Sequence, residues 1–201
     1  MAMQVLVIIR MILHPNGGKS AVGLTKTSIL KKTMLKEASP KWYPVYTRSR
    51  AEKQAFELLQ KKGVESYLPL QKTLKQWSDR KKWVTEPLFQ SYLFVRITQQ
   101  QQTEVLMTKG IVRFLYHAGR IAAMPDQQIN EIQLLLSNEI DLEVTAEHIA
   151  PGEKVVIKAG PLKGLSGEMV SYKSQKQLVV RLENLGQSIL VNASSALVDR
   201  L

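Results

Sequence analysis

The chain reads as α+β: a mostly antiparallel sheet flanked by helices, followed by a small five-stranded β-barrel of the SH3-like kind. Three observations predict this. Between residues 41 and 138, aromatic and β-branched runs alternate with helical stripes and one hairpin. After residue 150 the apolar residues fall into short period-2 runs, Val155 with Ile157 and then Leu178, Val180 and Leu182. Glycines at 152, 160, 164 and 167 punctuate the first of these runs, and glycine supplies the positive φ or close backbone approach that a tightly curved barrel needs at its corners.

Residues 1–39 read as a flexible extension. Met1 to Leu13 is apolar, but Arg10 interrupts it and it falls short of the ~20 apolar residues of a membrane span. It lacks a basic leader and a small-residue cleavage site, so no secretory signal is expected. Gly17-Gly18-Lys19-Ser20 invites a phosphate-loop reading, which fails because position 13, where the first glycine belongs, is Leu. Translation starting at Met34 would place Trp42 a few residues from the N-terminus, and intact-mass measurement of the native protein tests that.

Residues 40–139 form the first predicted domain. KWYPVY (41–46) is a strand by its aromatic and β-branched content. Ser49 with Glu52 three residues later predicts a capping box that opens a helix. Its apolar stripe is Ala51, Ala55, Leu58 and Leu59, and Gly63 ends it. Val64 to Leu70 is a second strand, with Pro69 marking its edge or end. Lys72 to Trp83 interleaves cationic and aromatic residues around a Ser78-Asp79 turn signal, a β-hairpin with a basic tip. Pro87 to Ile97 is a central strand. Gln99 to Lys109 is a short helix closed by Gly110. Val112–Leu115 and Ala122-Ala123 are short strands around a turn at Gly119. Pro125-Asp126 opens a last helix with Ile129, Ile132 and Leu136 on one stripe.

Residues 140–150 are polar, with Asp141, Glu143 and Glu147, and read as a linker. Residues 151–201 form the barrel, with strands at Lys154–Lys158, Glu168–Tyr172, Gln177–Glu183, Ser188–Val191 and Ala196–Val198.

Charge is unevenly spread along the 201 residues. Six Lys/Arg face one acid in 1–39 and fifteen face nine in 40–140, while seven face seven in 141–201. A basic front and a neutral back point to a polyanion partner for the front and a protein partner for the back. The chain has no cysteine, which excludes disulfides and Cys-based zinc sites and fits a reducing, cytoplasmic setting. His14, His117 and His148 lie in three separate regions and read as surface residues, without metal-ligand spacing or a nucleophile elbow. We therefore expect a non-enzyme without cofactor or metal.

Four strings, WYPVYTRSRAEK, WSDRKK, PLFQSYLFV and KGIVRFL, occur in this order and spacing. Together they resemble the N-terminal (NGN) domain of the NusG family of transcription elongation factors. The glycine-punctuated segment PGEKVVIKAGPLKGLSGEMV resembles the KOW motif found behind it in that family. The resemblance covers roughly residues 41–201, and the PLFQSYLFV and WSDRKK strings are closest to specialised, RfaH-, UpxY- or LoaP-like paralogues that control long polysaccharide operons.

The resemblance implies an apolar concavity that receives the clamp helices of the largest RNA polymerase subunit, at Tyr46, Phe89, Tyr92 and Phe94. On a strand Tyr92 and Phe94 share one face and Leu93 and Val95 the other, so Leu93 and Val95 are expected to pack the helices. It further places Arg48, Thr108, Lys109 and the hairpin near nucleic acid, whether non-template DNA or nascent RNA. Lys72, Lys75, Arg80, Lys81 and Lys82 would neutralise phosphates without base readout, and Trp77 could stack an exposed base. The alternative for Trp77 and Trp83 is packing on cross-strand neighbours. Thr103-Glu-Val105 departs from the His-Thr-Thr loop of the specialised relatives, which puts a bridge to the second large subunit in doubt. No chemistry is assigned to Gln99–Gln102. The KOW module is expected to recruit a small-subunit ribosomal protein or Rho. The function implied is suppression of pausing and termination by a monomeric, membrane-free factor. The rivals are a housekeeping NusG, a ribosome-associated RNA-binding protein that uses the barrel, and a basic DNA-binding protein without polymerase contact.

Overall fold

The computed structural model describes residues 39–201 apart from 78, 139, 141 and 193–197. The expectations on the N-terminal extension, the Met34 start, His14, Ser78 and the first residues of the last barrel strand lie outside the described residues. Residues 39–201 form one compact unit.

Its first sheet has four antiparallel strands in the order β2-β5-β1-β6: β1 (Lys41–Thr47), β2 (Glu65–Tyr67), β5 (Tyr92–Ile97) and β6 (Ile111–Phe114). The register pairs Tyr46 with Tyr92, Pro44 with Phe94 and Val45 with Leu93. Side chains alternate across a strand, so one face carries Trp42, Tyr46, Tyr92 and Phe94 and the other Tyr43, Val45, Leu93 and Val95.

The second of these faces meets α1 (Glu52–Lys61) and α2 (Gln102–Leu106). Leu93 and Val95 share a buried cluster with Ala55, Leu59 and Val105, the side to which the resemblance assigned them. Helix α1 ends where expected, at Gly63 with φ +74°. Its start differs. No side chain caps it; Glu52 is buried and its Oε1 accepts the Ser91 N–H at 2.7 Å. The carboxylate that a capping box would turn back on its own helix instead ties that helix to the turn before β5. The glutamine run finds a local use, because Gln101 Oε1 accepts the Thr98 N–H at 3.0 Å and caps a 3-10 turn leading into α2.

The long central strand expected over Pro87–Ile97 is divided. Its first residue ends β4 (Lys81–Pro87), which among the described residues pairs only with β3 (Leu70–Gln76), and the chain turns through Ser91 at φ +63° before β5 begins. The pair β7 (Tyr116–His117) and β8 (Arg120–Ile121) forms the small hairpin at Gly119. Ala122-Ala123 is not a strand; Ala122 N–H donates to the Leu115 carbonyl. Helix α3 (Asp126–Ser137) buries Ile129, Ile132 and Leu135, one residue short of the expected Leu136.

The second sheet has six antiparallel strands in the order β14-β10-β11-β12-β13-β9: β9 (Leu142–Thr145), β10 (Glu153–Ile157), β11 (Ser166–Tyr172), β12 (Gln175–Leu182), β13 (Gln187–Asn192) and β14 (Val198–Arg200). The expected closed five-stranded barrel is corrected on two points. Four linker residues form β9 and occupy the outer edge of β13, and among the described residues β14 pairs only with β10, so the sheet stays open. Gly167 lies against β12, where an added Cβ would stand 2.7 Å from the Val179 carbonyl oxygen. Gly152 is pressed in the same way against Met169, while Gly160 and Gly164 turn the chain between β10 and β11 with φ of +84° and +90°.

The two sheets share a core. Phe89, Phe94, Ile129 and Ile132 belong to one buried cluster with Leu165, Leu178 and Leu182. Polar contacts rim it: Ser166 Oγ donates to Glu131 Oε1 at 3.2 Å, and Asn184 Nδ2 donates to the Ala123 carbonyl at 2.8 Å.

Candidate functional site

Two regions carry most of the residues that the sequence singled out, and a third adds an ion pair that it did not. The first is the aromatic face of the first sheet. Tyr46 and Tyr92 stand opposite one another in the register, and their rings meet edge to face at 5.3 Å. The Arg113 guanidinium lies 5.6 Å over the Tyr46 ring, within cation–π range. Phe94 meets Phe89 edge to face at 5.9 Å and Tyr67 in a stacked pair at 6.4 Å. Tyr67 is a member that sequence reasoning missed. It sits in a three-residue edge strand too short to show a period, and only the pairing of Tyr67 with Phe94 brings it here. Burial pushes its phenol up to about 12.

The four expected partner-facing rings divide into two pairs. Tyr46 and Tyr92 are half-buried, but Phe89 and Phe94 are 1% and 0% exposed. The reason is the shared core: the apolar side chains of α3 and the second sheet join the cluster that contains both phenylalanines. In this arrangement no partner reaches Phe89 or Phe94.

The second region is basic. Among the described residues hairpin β3–β4 pairs with no other strand, and it presents Trp77, Arg80, Lys81 and Lys82 as exposed residues, with the Trp77 N–H closing the tip onto the Arg80 carbonyl. Lys75 is exposed but held by Glu86 at 2.6 Å across the ribbon. At the hairpin base Lys53 Nζ donates to the Thr85 carbonyl at 2.8 Å. Arg50, Lys53 and Lys75 thus line one cleft of about 570 Å³ between α1 and β4. Arg50 and Lys53 were not singled out from the sequence; their spacing on a helix start looks like an ordinary solvated face.

Arg48 and Lys109 are exposed and adjacent, because the Arg48 N–H donates to the Gly110 carbonyl at 2.8 Å. Thr108 does not share their exposure. Its side chain is buried, accepts a hydrogen bond from Lys62 Nζ at 2.8 Å and donates to the Glu104 carbonyl, so it braces the loop that displays Lys109. Val105 is likewise in the core. His117 and His148 are exposed. No group of three His, Cys, Asp or Glu among the described residues could hold a metal, and no described helix is long and apolar enough to cross a membrane.

The third region is an ion pair in the second sheet. Glu168 Oε2 accepts from Arg181 Nε at 3.0 Å, from Arg181 Nη2 at 2.8 Å and from the Gly152 N–H at 3.1 Å. Arg181 Nη2 also donates to the Ile149 and Ala150 carbonyls. The arrangement clamps the chain entering β10 onto β11 and β12. The Arg181 hydrogen bonds hold the Glu168 carboxyl below the usual carboxylate range, with the Gly152 N–H adding to them against desolvation.

Residues 40–133 match the family model described as "Transcription termination factor nusG". Among solved structures it resembles one described as "Domain interaction in Thermotoga maritima NusG", at 21% identity over 81% of this chain and 97% of that one, with a TM-score of 0.48. It also resembles the MjSpt4:Spt5 complex. The match to conformation A has 19% identity, covers 80% of this chain and 97% of that one, and has a TM-score of 0.25. That to conformation B has 18% identity, covers 80% and 90%, and has a TM-score of 0.25.

Proposed function

We propose that this protein is a bacterial transcription elongation factor, a specialised NusG paralogue that binds the clamp helices of RNA polymerase and suppresses pausing and termination. The observation that carries the reading is the two-faced first sheet. One face is spent on α1 and α2; the other gathers Tyr46, Tyr67, Phe89, Tyr92 and Phe94 into an aromatic array. Such rings bring large, rigid contact area at low entropic cost and dominate interface energetics. They suit a docking surface for an amphipathic helical pair.

Phe89 and Phe94 have a cover in this arrangement, so full docking exchanges the second sheet and α3 for the polymerase on the same rings. Tyr46 and Tyr92, already half-exposed, make the first contact. The clamp-bound polymerase conformer then gains population in proportion to the factor's preference for it. The basic hairpin with Arg48 and Lys109 adds a salt-sensitive contact to nucleic acid, and the neutral second sheet recruits a protein. That neutrality counts against a ribosome-associated RNA-binding role. No catalytic chemistry is assigned, and the factor works in the cytoplasm as a monomer.

The test is single-round transcription by the cognate core polymerase through a pause and a terminator. The protein should raise readthrough, and Tyr92→Ala should abolish both the effect and polymerase binding. Absence of polymerase binding by the wild-type chain would overturn the proposal. Occupancy mapped in cells separates the specialised factor, concentrated at one operon leader, from a housekeeping one spread along genes.

A further inference from the structure

We propose that β9 is a displaceable strand, and that the edge of β13 beneath it takes an extended peptide segment in which two apolar residues flank an acid. This rests on the protein-recruiting role proposed above for the second sheet and names the edge and the chemistry of the segment. The two strands differ in what they bury. Ile189, Leu190 and Val191 of β13 are 0%, 2% and 1% exposed, whereas no residue of β9 is fully buried. A strand edge this apolar is a template for any extended chain, and natural sheets keep such edges covered. Here the cover is the short segment that leads into the second sheet.

β9 also shows what fits. It runs antiparallel to β13, with Leu142 across from Val191, Glu143 across from Leu190 and Val144 across from Ile189. Directly opposite residues share a face, and Leu142 and Val144 both pack against the shared core. Glu143 lies on the other face, where its Oε1 meets Lys173 Nζ at 2.7 Å. Just beyond β9, Glu147 Oε2 accepts from the Tyr172 hydroxyl at 2.7 Å. The tip of β11–β12 thus offers an ammonium and a phenol donor to the acids of whatever strand lies on this edge.

Lys173 occupies a strained position to do so. It and Ser174 turn the chain between β11 and β12 at φ of +50° and +64°, where glycine or asparagine is the usual choice. Its ammonium lies 4.8 Å over the Tyr172 ring and pairs with β9. The grip is light. The paired side chains are 63% and 48% exposed, and exposed ion pairs contribute little. Four residues with two half-buried apolar side chains place β9 at the low-stability end of the fold. A partner segment of the same pattern competes with it on equal terms and gains wherever it is longer.

The test uses the full chain and, as probe, the octapeptide LEVTAEHI, residues 142–149 of the same sequence. Calorimetric titration compares the wild type with Leu142→Asp/Val144→Asp, whose own β9 no longer competes. The variant should bind the peptide about tenfold more tightly, the ratio expected if β9 is off its edge in about one wild-type molecule in ten. A peptide carrying the same two substitutions should bind neither protein. In the variant background Lys173→Glu should weaken the peptide about threefold, and a Glu143→Lys peptide should restore the loss. In the wild type, excess peptide should speed amide exchange across 142–145 while β13 stays protected, a readout that needs no variant to fold.

Equal affinity for wild type and variant, or binding to neither, would overturn the exchange. So would wild-type β9 amides that exchange only as slowly as those of β12, because β9 would then be a fixed part of the sheet. If the wild type raises readthrough while the peptide fails, the exchange falls and the polymerase reading stands. If the peptide behaves as expected but the wild type ignores polymerase, that reading falls and the exchange stands.

Discussion

Replacing Phe94 by Ala tests whether the aromatic face is core or surface in the free protein. The ring is wholly buried, flanked by Phe89 at 5.9 Å and Tyr67 at 6.4 Å, and lies in the cluster that spans both sheets. Phe-to-Ala changes at such sites cost about 3–5 kcal/mol, combining lost transfer energy with the cavity left behind. For a unit of this size each kcal/mol lowers the melting midpoint by about 2–4 °C, so the expected fall is roughly 6–20 °C. Scanning calorimetry measures it, with Phe94→Leu as a control that keeps most of the volume and should lose less than half as much. Amide exchange across β12 should also quicken in the Ala variant, because Leu178 and Leu182 share the depleted cluster. A midpoint shift under about 3 °C would refute the reasoning, since a surface ring leaves no cavity.

Two groups tie stability to pH in opposite directions. Glu168, its pKa lowered chiefly by Arg181, contributes stability that is fully present above the ordinary carboxylate value and fades as pH falls through the lowered one. Urea midpoints compared at neutral and acid pH should therefore fall more in the wild type than in Glu168→Gln, which is weaker at neutral pH and flatter below it. Tyr67 works from the alkaline side. The unfolded chain releases this proton near pH ~10, but the folded one holds it up to about 12. Stability is thus lost as pH climbs from the first value toward the second, and Tyr67→Phe should blunt that loss in a denaturation series. An ultraviolet titration showing every folded-state phenol ionising at the ordinary value would contradict the burial of Tyr67.

Local elements were legible where their cause is local. Gly63 ends α1 because a left-handed residue closes a helix wherever it stands. The hairpin was read from cationic and aromatic residues interleaved around a Ser78-Asp79 turn signal. Alternation separated Leu93 and Val95 from Tyr92 and Phe94, the resemblance assigned the first pair to the core, and they lie in the cluster with Ala55, Leu59 and Val105. What misled was chemistry with two possible partners. Glu52 has the spacing of a cap, yet a nearer geometric offer from the Ser91 N–H takes its carboxylate. Thr108 stands beside an exposed lysine, and only the approach of Lys62 from α1 makes it a buried brace. Residues 142–145 read as linker because the acids of 140–150 mask a four-residue alternation; Leu142 and Val144 pack against the shared core and the backbone of β13 supplies the pairing.

By itself the sequence determined the period of the longer strands, the basic front and neutral back, and the absence of cysteine. These follow from residue type and spacing, which exist before the chain folds. Tertiary structure alone decided that the aromatic face is shared. The strand pattern shows that Phe94 points away from α1 and α2, but not that Leu165, Leu178 and Leu182, some seventy residues on and more, join it in one core. Burial is a property of what arrives on a surface, and no local pattern records the arrival. The same holds for Trp83: its place on a hairpin was readable, whereas its exposure depends on what fails to cover it.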